Sequence, residues 1–384
     1  MNFRDTVSEI QKQMSKITTI QLFKNIKTLV EQSRQELYAV VNTTLTETYF
    51  HIGRSIVEYE QQGSNRAGYA KETLIKLSAK LTTVLGKGFS VDNLENMRKL
   101  YVVYKDDYLK HVSKNKKSEP LSRKLANTSK PIISINSLAQ NQKPETLSRK
   151  LSLSPFKLSW SHYVLLLKIE DNIERKFYET ESAAENWSKR ELQRQYESAL
   201  FERLALSRNK AKVKELSQKG HLITTPSDAI KDPYILEFLN LQEREFYSEN
   251  DLENAIISKL QHFLLELGKG FLFVDRQKRI KMDGDDYKID LVFYHRILRC
   301  FVLIDLKIGT LKHHDLGQLQ MYVNYYDEEI KAPDENKTIG IILCKNKKES
   351  TIKYTLGKGN KQIFASKYKV YFPEKQILKL IREQ

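Results

Sequence analysis

Residues 287–309, YKIDLVFYHRILRCFVLIDLKIG, decide the fold. Two apolar runs rich in β-branched and aromatic residues flank Arg296-Ile297-Leu298-Arg299, the pattern of two strands joined by a tight turn at Ile297–Leu298. In the first run, alternation sets Lys288, Asp290, Val292 and Tyr294 on one face and Ile289, Leu291 and Phe293 on the other. In the second, Asp305 and Lys307 stand two apart and share a face, while Val302, Ile304 and Leu306 point away. If the strands are neighbours, Asp290 and Asp305 converge at one end of the sheet with an ammonium beside them. Such a trio inside strands built for burial is costly unless it binds a cation or pairs internally.

The first outcome suits phosphodiester hydrolysis. Two hard oxygen ligands hold Mg²⁺ or Mn²⁺ while leaving positions for water and a phosphate oxygen. Lys307 then stabilises negative charge or helps to deprotonate water. The second outcome is a structural salt bridge from Asp290 or Asp305 to Lys307. The short D-x-K motif alone leaves both open.

Working outward, Leu252 to Leu267 reads as a helix closed by Gly268, and FLFVDRQKRIKM as a strand turning at DGDD. A helix from about His313 to Ile330 leads past Pro333 to the strand TIGIILCK, and YKVYF is a possible last strand. The order is αβββαβ, a mixed sheet with helices. Glu253 lies on one helical stripe with Ile257, Leu260 and Leu264, so it faces the sheet as a metal contact or acts as a helix-dipole partner. Gln318 and Tyr322, four apart, share a helix face, where Gln318 orients water or a phosphate and Tyr322 supports Lys307 or substrate. A solvent-facing glutamine is the alternative.

The N-terminal part is helical. Apolar positions recur at helical spacing from Thr19 to Gln61, a second helix covers about Lys71 to Leu85, and Ser90 caps a third. The second and third could form a helix-turn-helix presenting Asn93, Asn96, Arg98 and Lys99 to DNA, or an ordinary bundle. The segment from Lys110 to Ser159 is rich in Ser, Asn, Lys and Pro, and repeats EPLSRKLA as ETLSRKLS. It reads as a disordered insert. Eleven basic residues against Glu119 and Glu145 give it +9 of the net +16, attractive to phosphates or simply an extended solvated linker. Helical patterning resumes at Trp160 and completes the bundle, and 220–241 connects to the last domain.

The 384 residues suggest two or three domains, and 40% hydrophobic composition supplies packed cores. No window approaches 18 uncharged apolar residues and the start is charged, so no membrane partner or export is expected. Cys300 and Cys344 sit in apolar runs as buried thiols, fitting a reducing, cytoplasmic compartment and excluding a cysteine-rich zinc site. His313 and His314 are adjacent and point apart, Asp283, Asp285 and Asp286 serve a turn, and the Gly-Lys-Gly runs lack P-loop spacing.

The helix with Glu253, the strand with Asp290, the strand with Asp305 and Lys307, and the helix with Gln318 and Tyr322 together resemble the PD-(D/E)xK nuclease superfamily. DLENAIISKLQHFLLELGKGFLFVDRQKRI, NKTIGIILCK, TPSDAIKDPYILEFLNL and the N-terminal LGKGFSVDNLENMRKLY are similar to the YhcG-type nucleases of bacteria, over nearly the whole chain outside the insert. The resemblance implies a restriction-endonuclease-like α/β domain (250–384) joined through a connection (220–249) to an all-α domain (1–109 and 160–219) carrying the insert (110–159). It implies a Mg²⁺-dependent site on Asp290, Asp305 and Lys307, supported by Glu253 and Gln318, with Asp305 where the family more often has Glu. Arg98, Lys99, Lys312 and Tyr322 are the expected DNA contacts, and homo-oligomerisation through the helical domain is possible. The rival expectation is a non-catalytic DNA-binding or scaffolding protein that recruits partners through that domain.

Overall fold

The computed structural model describes residues 19–62, 67–117, 154–206, 210–241, 247–357 and 359–375, in two compact units, Met1–Asp171 and Asn172–Gln384. The first unit holds α1 (Thr19–Gln62), α2 (Ala67–Leu85), α3 (Val91–Lys117) and α4 (Trp160–Leu166). Ser90 Oγ accepts the Asn93 N–H at 3.3 Å, the expected cap of α3. Helices α1 and α3 approach so closely at Gly53 that a Cβ there would lie 2.0 Å from the Met97 carbonyl oxygen. Ile56, Leu74, Leu94 and Met97 close one core, while Phe50, Tyr104, Phe156 and Tyr163 form an aromatic cluster.

The expected insert is shorter than its composition suggests. Helix α3 continues to Lys117, and at the other end Phe156 is buried and its carbonyl accepts the Thr43 hydroxyl at 3.1 Å. At the second end, burial of the Phe156 ring outweighs the polar composition. The middle of the insert, 118–153, lies outside the described residues.

The second unit opens with α5 (Asn172–Ala184), α6 (Lys189–Glu197), α7 (Leu200–Ala205) and α8 (Lys210–Lys219). Their helical periodicity suggested the N-terminal bundle, yet contacts place them with the sheet-bearing unit. A buried ion network is one reason. Glu266, fully buried, lies 2.7 Å from Arg203 Nη1 and 3.2 Å from Arg194 Nη2, and accepts the Ile235 N–H at 2.9 Å. Burial alone would raise the Glu266 pKa, but Arg203, Lys231 and Arg194 hold it at about 2.

The sheet follows as β1 (Tyr234–Ile235), α9 (Glu249–Ser258), α10 (Leu260–Leu267), β2 (Phe271–Met282), β3 (Asp285–His295), β4 (Cys300–Thr310), α11 (His313–Tyr325), β5 (Ile339–Asn346), α12 (Glu349–Leu356) and β6 (Ile363–Lys369). Strand order is β1-β6-β5-β4-β3-β2. β2, β3 and β4 pair antiparallel, and β4, β5, β6 and β1 pair parallel. Leu252, Ile256, Phe263 and Leu267 pack on one face against Leu291, Phe293, Val302, Ile304 and Leu306. Leu316, Leu319, Tyr322 and Val323 pack on the other against Ile280, Ile289, Val292 and Leu303.

The αβββαβ core is present with refinements. The helix expected over Leu252–Leu267 breaks at Lys259 into α9 and α10, and the helix from His313 ends in a wide π turn at Tyr326–Ile330. The last strand is Ile363–Lys369, ending before Tyr371 and Phe372, and the 220–241 connection supplies an edge strand, Tyr234–Ile235 parallel to β6. Asp283 and Gly284, both at positive φ, turn the β2–β3 hairpin as the DGDD stretch requires. Among the described residues, no helix is long and apolar enough to cross a membrane.

Candidate active site

The site lies where β3 and β4 part. Their ladder runs from His295↔Cys300 to Leu291↔Ile304 and stops one residue short of Asp290. There the Leu306 N–H donates to Asp290 Oδ2 at 2.8 Å, so a side chain replaces the ladder partner and the strands fork. The expected alternation slips at this point. Ile289 packs in the cluster of Val292, on the face opposite to Leu291 and Phe293. The distortion coincides with Gln277 of β2, a non-glycine residue at φ 51°, between the pairs Arg276↔Leu291 and Lys278↔Ile289.

On β4, Asp305 and Lys307 share a face as expected. Asp305 is 4% exposed, and Lys307 Nζ lies 2.8 Å from its Oδ2 and 3.5 Å from Glu249 Oε2 at the start of α9. Burial and then the Asp305 charge push Asp290 up to about 7, against the Leu306 N–H and Lys307. Burial likewise raises Asp305, with Lys307 opposing. For Lys307, burial would favour the neutral amine, but Asp305, Glu249 and Asp290 outweigh it and leave the pKa above the ordinary lysine value. Lys307 is therefore an ammonium at neutral pH. That suits charge stabilisation.

Glu253 is buried at 2% exposure and faces the sheet. Gln277 Nε2 donates to its Oε2 at 2.9 Å, while its Oε1 is buried without a hydrogen bond. Its charge also raises Asp290. Gln318 Nε2 donates to the Tyr322 hydroxyl at 2.6 Å, and that hydroxyl donates to the Lys288 carbonyl at 3.1 Å. Tyr322 is fully buried, so it braces β3 two residues from Asp290 and has no surface to offer DNA.

Other expected residues lie elsewhere. Lys312 is exposed just before α11, where its N–H donates to Asp315 Oδ2 at 2.8 Å. In the first unit, Lys99 is exposed and Arg98 Nε pairs with Glu60 Oε2 at 2.7 Å. Asn93 is committed to packing: its Nδ2 donates to the Gly88 carbonyl and its Oδ1 accepts from Trp160 Nε1 at 2.9 Å. That leaves it unfit to read bases. His313 and His314 are exposed. Sequence reasoning missed Glu249 and Gln277, because neither interrupts an apolar pattern. Only Gln277 had any signal, as the residue across the hairpin from Asp290.

Among the described residues, no three His, Cys, Asp or Glu side chains form a ready metal cluster. The residues present nevertheless fit a hard divalent cation. Mg²⁺ is held through one or two carboxylates plus water and substrate oxygens, and here two carboxylates meet near a third with an orphaned oxygen, Glu253 Oε1.

A sheet whose central antiparallel pair forks at an aspartate, beside a D-x-K strand and between layers of helices, defines a PD-(D/E)xK nuclease domain. Residues 227–383 match the YhcG PDDEXK nuclease domain family, and residues 25–203 match the DUF1016 N-terminal domain. The protein named "Putative nuclease YhcG" of Escherichia coli (strain K12) is 37% identical over 366 residues, 95% of this chain and 94% of its own length. This chain belongs to the YhcG family of nucleases. Among solved structures, a repair endonuclease from Pyrococcus abyssi aligns at 19% identity and TM-score 0.23, over 33% of this chain and 49% of that one. An EndoMS–dsDNA complex aligns at 17% and 0.24, over 35% and 50%. The chain thus spans about half the length of these structures.

Proposed function

We propose that this nuclease hydrolyses DNA phosphodiesters at the β3–β4 fork, with Asp290 and Asp305 holding Mg²⁺ or Mn²⁺. The supporting observation is the fork itself: Asp290 is fixed by the Leu306 N–H beside the buried Asp305–Lys307 pair. When bound, the cation supplies charge neutralisation and an acidified water. Lys307, held as an ammonium by Asp305 and Glu249, stabilises negative charge developing on the phosphate. Glu253 offers Oε1 to the cation or to one of its waters while Gln277 fixes Oε2. Gln318 is oriented by Tyr322 to hold water or a phosphate oxygen.

The test is incubation of the purified protein with supercoiled plasmid and linear DNA in Mg²⁺, Mn²⁺ or EDTA, beside Asp290→Ala. Metal-dependent nicking lost in the variant supports an endonuclease with this site. Binding without cleavage under every condition would replace it with the non-catalytic scaffold.

Self-association through the first unit is part of the same proposal. Residues 21–39 of α1 are exposed on every side wherever their side chains are described, including Phe23 at 66%, Leu29 at 63% and Leu37 at 64%. Helices in proteins draw most of their stability from packing an apolar face, so this exposed apolar stripe calls for a partner helix. Light scattering of the full chain, monomeric or dimeric, decides it.

A further inference from the structure

Beyond the fork the β2–β3 hairpin continues as a two-stranded ribbon to its turn at Asp283–Gly284. Cross-strand partners share a face, so the printed register sorts the ribbon's side chains. The pairs Lys278↔Ile289 and Ile280↔Tyr287 lie on the face packed in the α11 cluster. The pairs Arg279↔Lys288 and Lys281↔Asp286 lie on the opposite face, where all four side chains are exposed. Lys281 approaches Asp286 at 4.0 Å, and Lys278 approaches Asp275 at 3.3 Å. Arg279 and Lys288 are different: they stand directly opposite each other, and among the described residues neither makes an ion pair.

Two like charges directly across a strand pair destabilise a sheet. This pair also sits two residues from Asp290, an advance of about 6.6 Å at ~3.3 Å per residue. Successive phosphates along one strand of a duplex are separated by a comparable distance, so the pair stands within reach of a phosphate neighbouring the one at the fork. The anions of the ribbon lie toward its turn, at Asp283, Asp285 and Asp286, so only its base is purely cationic.

Resting on the nuclease reading above, we propose that Arg279 and Lys288 form a phosphate clamp that holds the backbone of duplex DNA beside the cleavage site. The occupant is a polyanionic backbone because two cations without an ion-pair partner among the described residues stand opposite each other on an exposed strand face. The contact positions the duplex and carries no sequence information.

The experiment measures anisotropy of a fluorescein-labelled 20-base-pair duplex titrated with the full-length protein in EDTA, between 50 and 200 mM KCl. Wild type is compared with Arg279→Ala/Lys288→Ala, with Arg279→Lys/Lys288→Arg, and with Arg296→Ala as an exposed cation at the far end of β3. Each phosphate contact contributes about 0.9 to the slope of log K against log salt, so the double alanine variant should lose about 1.8. Its affinity deficit should therefore shrink about twelvefold across that fourfold salt range. The charge-conserving variant and Arg296→Ala should keep the wild-type slope. Because repulsion is relieved, the alanine variant should melt no lower than wild type, and Lys288→Gln alone should lose about half as much slope. An unchanged slope in the double variant, from a wild type that binds DNA and cleaves it with Mg²⁺, overturns the clamp and leaves the nuclease reading intact. A wild type that neither binds nor cleaves overturns both.

Discussion

Replacing Asp290 by Asn should stabilise the metal-free protein at pH 8 while abolishing its cleavage of DNA. Asp290 is displaced from 3.8 to about 7 by burial and by the charge of Asp305. Between those values the folded state binds more protons than the unfolded chain, so wild-type stability falls as pH rises from about 4 to 7. Above pH 7 the penalty is complete. At 1.36 kcal/mol per pH unit it is capped at about 4 kcal/mol, and partial exposure together with the share carried by Asp305 brings the expectation to about 1–2 kcal/mol. Asn keeps an oxygen to accept the Leu306 N–H, so the fork geometry survives. Trp187 lies in the second unit and Trp160 in the first, so a Trp160→Phe background lets Trp187 fluorescence follow urea unfolding of the second unit. In EDTA the two proteins should differ little at pH 4 and by the stated amount at pH 8. Added Mg²⁺ should raise the urea midpoint of wild type and leave Asp290→Asn unmoved. Equal or lower stability of the variant at pH 8 would refute the claim that the carboxylates repel one another across the fork.

Lys307→Ala should reduce plasmid cleavage at least 100-fold, because a preorganised charge is lost at the phosphate, with a circular dichroism spectrum like that of wild type. Asp305→Glu, one methylene longer, should retain or raise cleavage in the same assay. Glu253→Gln should weaken Mg²⁺ binding, read by isothermal titration, while Gln277 keeps an oxygen to which it can donate. Glu266→Gln should lower stability by about 3–5 kcal/mol in urea, since Arg203 and Arg194 are left buried without a counter-charge.

The strands, their turns and the Asp305–Lys307 pair were legible because period-two alternation is local, and a charge that interrupts it stands out. The helices of the first unit were legible for the same reason at period 3.6. What the alternation could not carry was its own failure at Asp290. There the ladder ends, the Leu306 N–H turns to a side chain, and Ile289 crosses to the other face. The matching irregularity lies on a different strand, at Gln277 with its positive φ, and α11 braces the same stretch through Tyr322, whose hydroxyl donates to the Lys288 carbonyl. These are contacts between elements distant in sequence, invisible to a window sliding along the chain. The same limit bears on residues 172–219, which periodicity joins to the N-terminal helices and contacts join to the sheet-bearing unit. Their periodicity announces an apolar face but not its partner, and the partner is chosen by Glu266, whose buried carboxylate is balanced by Arg194 and Arg203. The proposed catalytic fork and this ion network follow one rule. Where a buried carboxylate meets fixed cations it binds elements together, and where it meets another carboxylate it stays costly until a metal arrives. Glu266, held at about 2, and Asp290, pushed to about 7, are the same functional group read through those two environments.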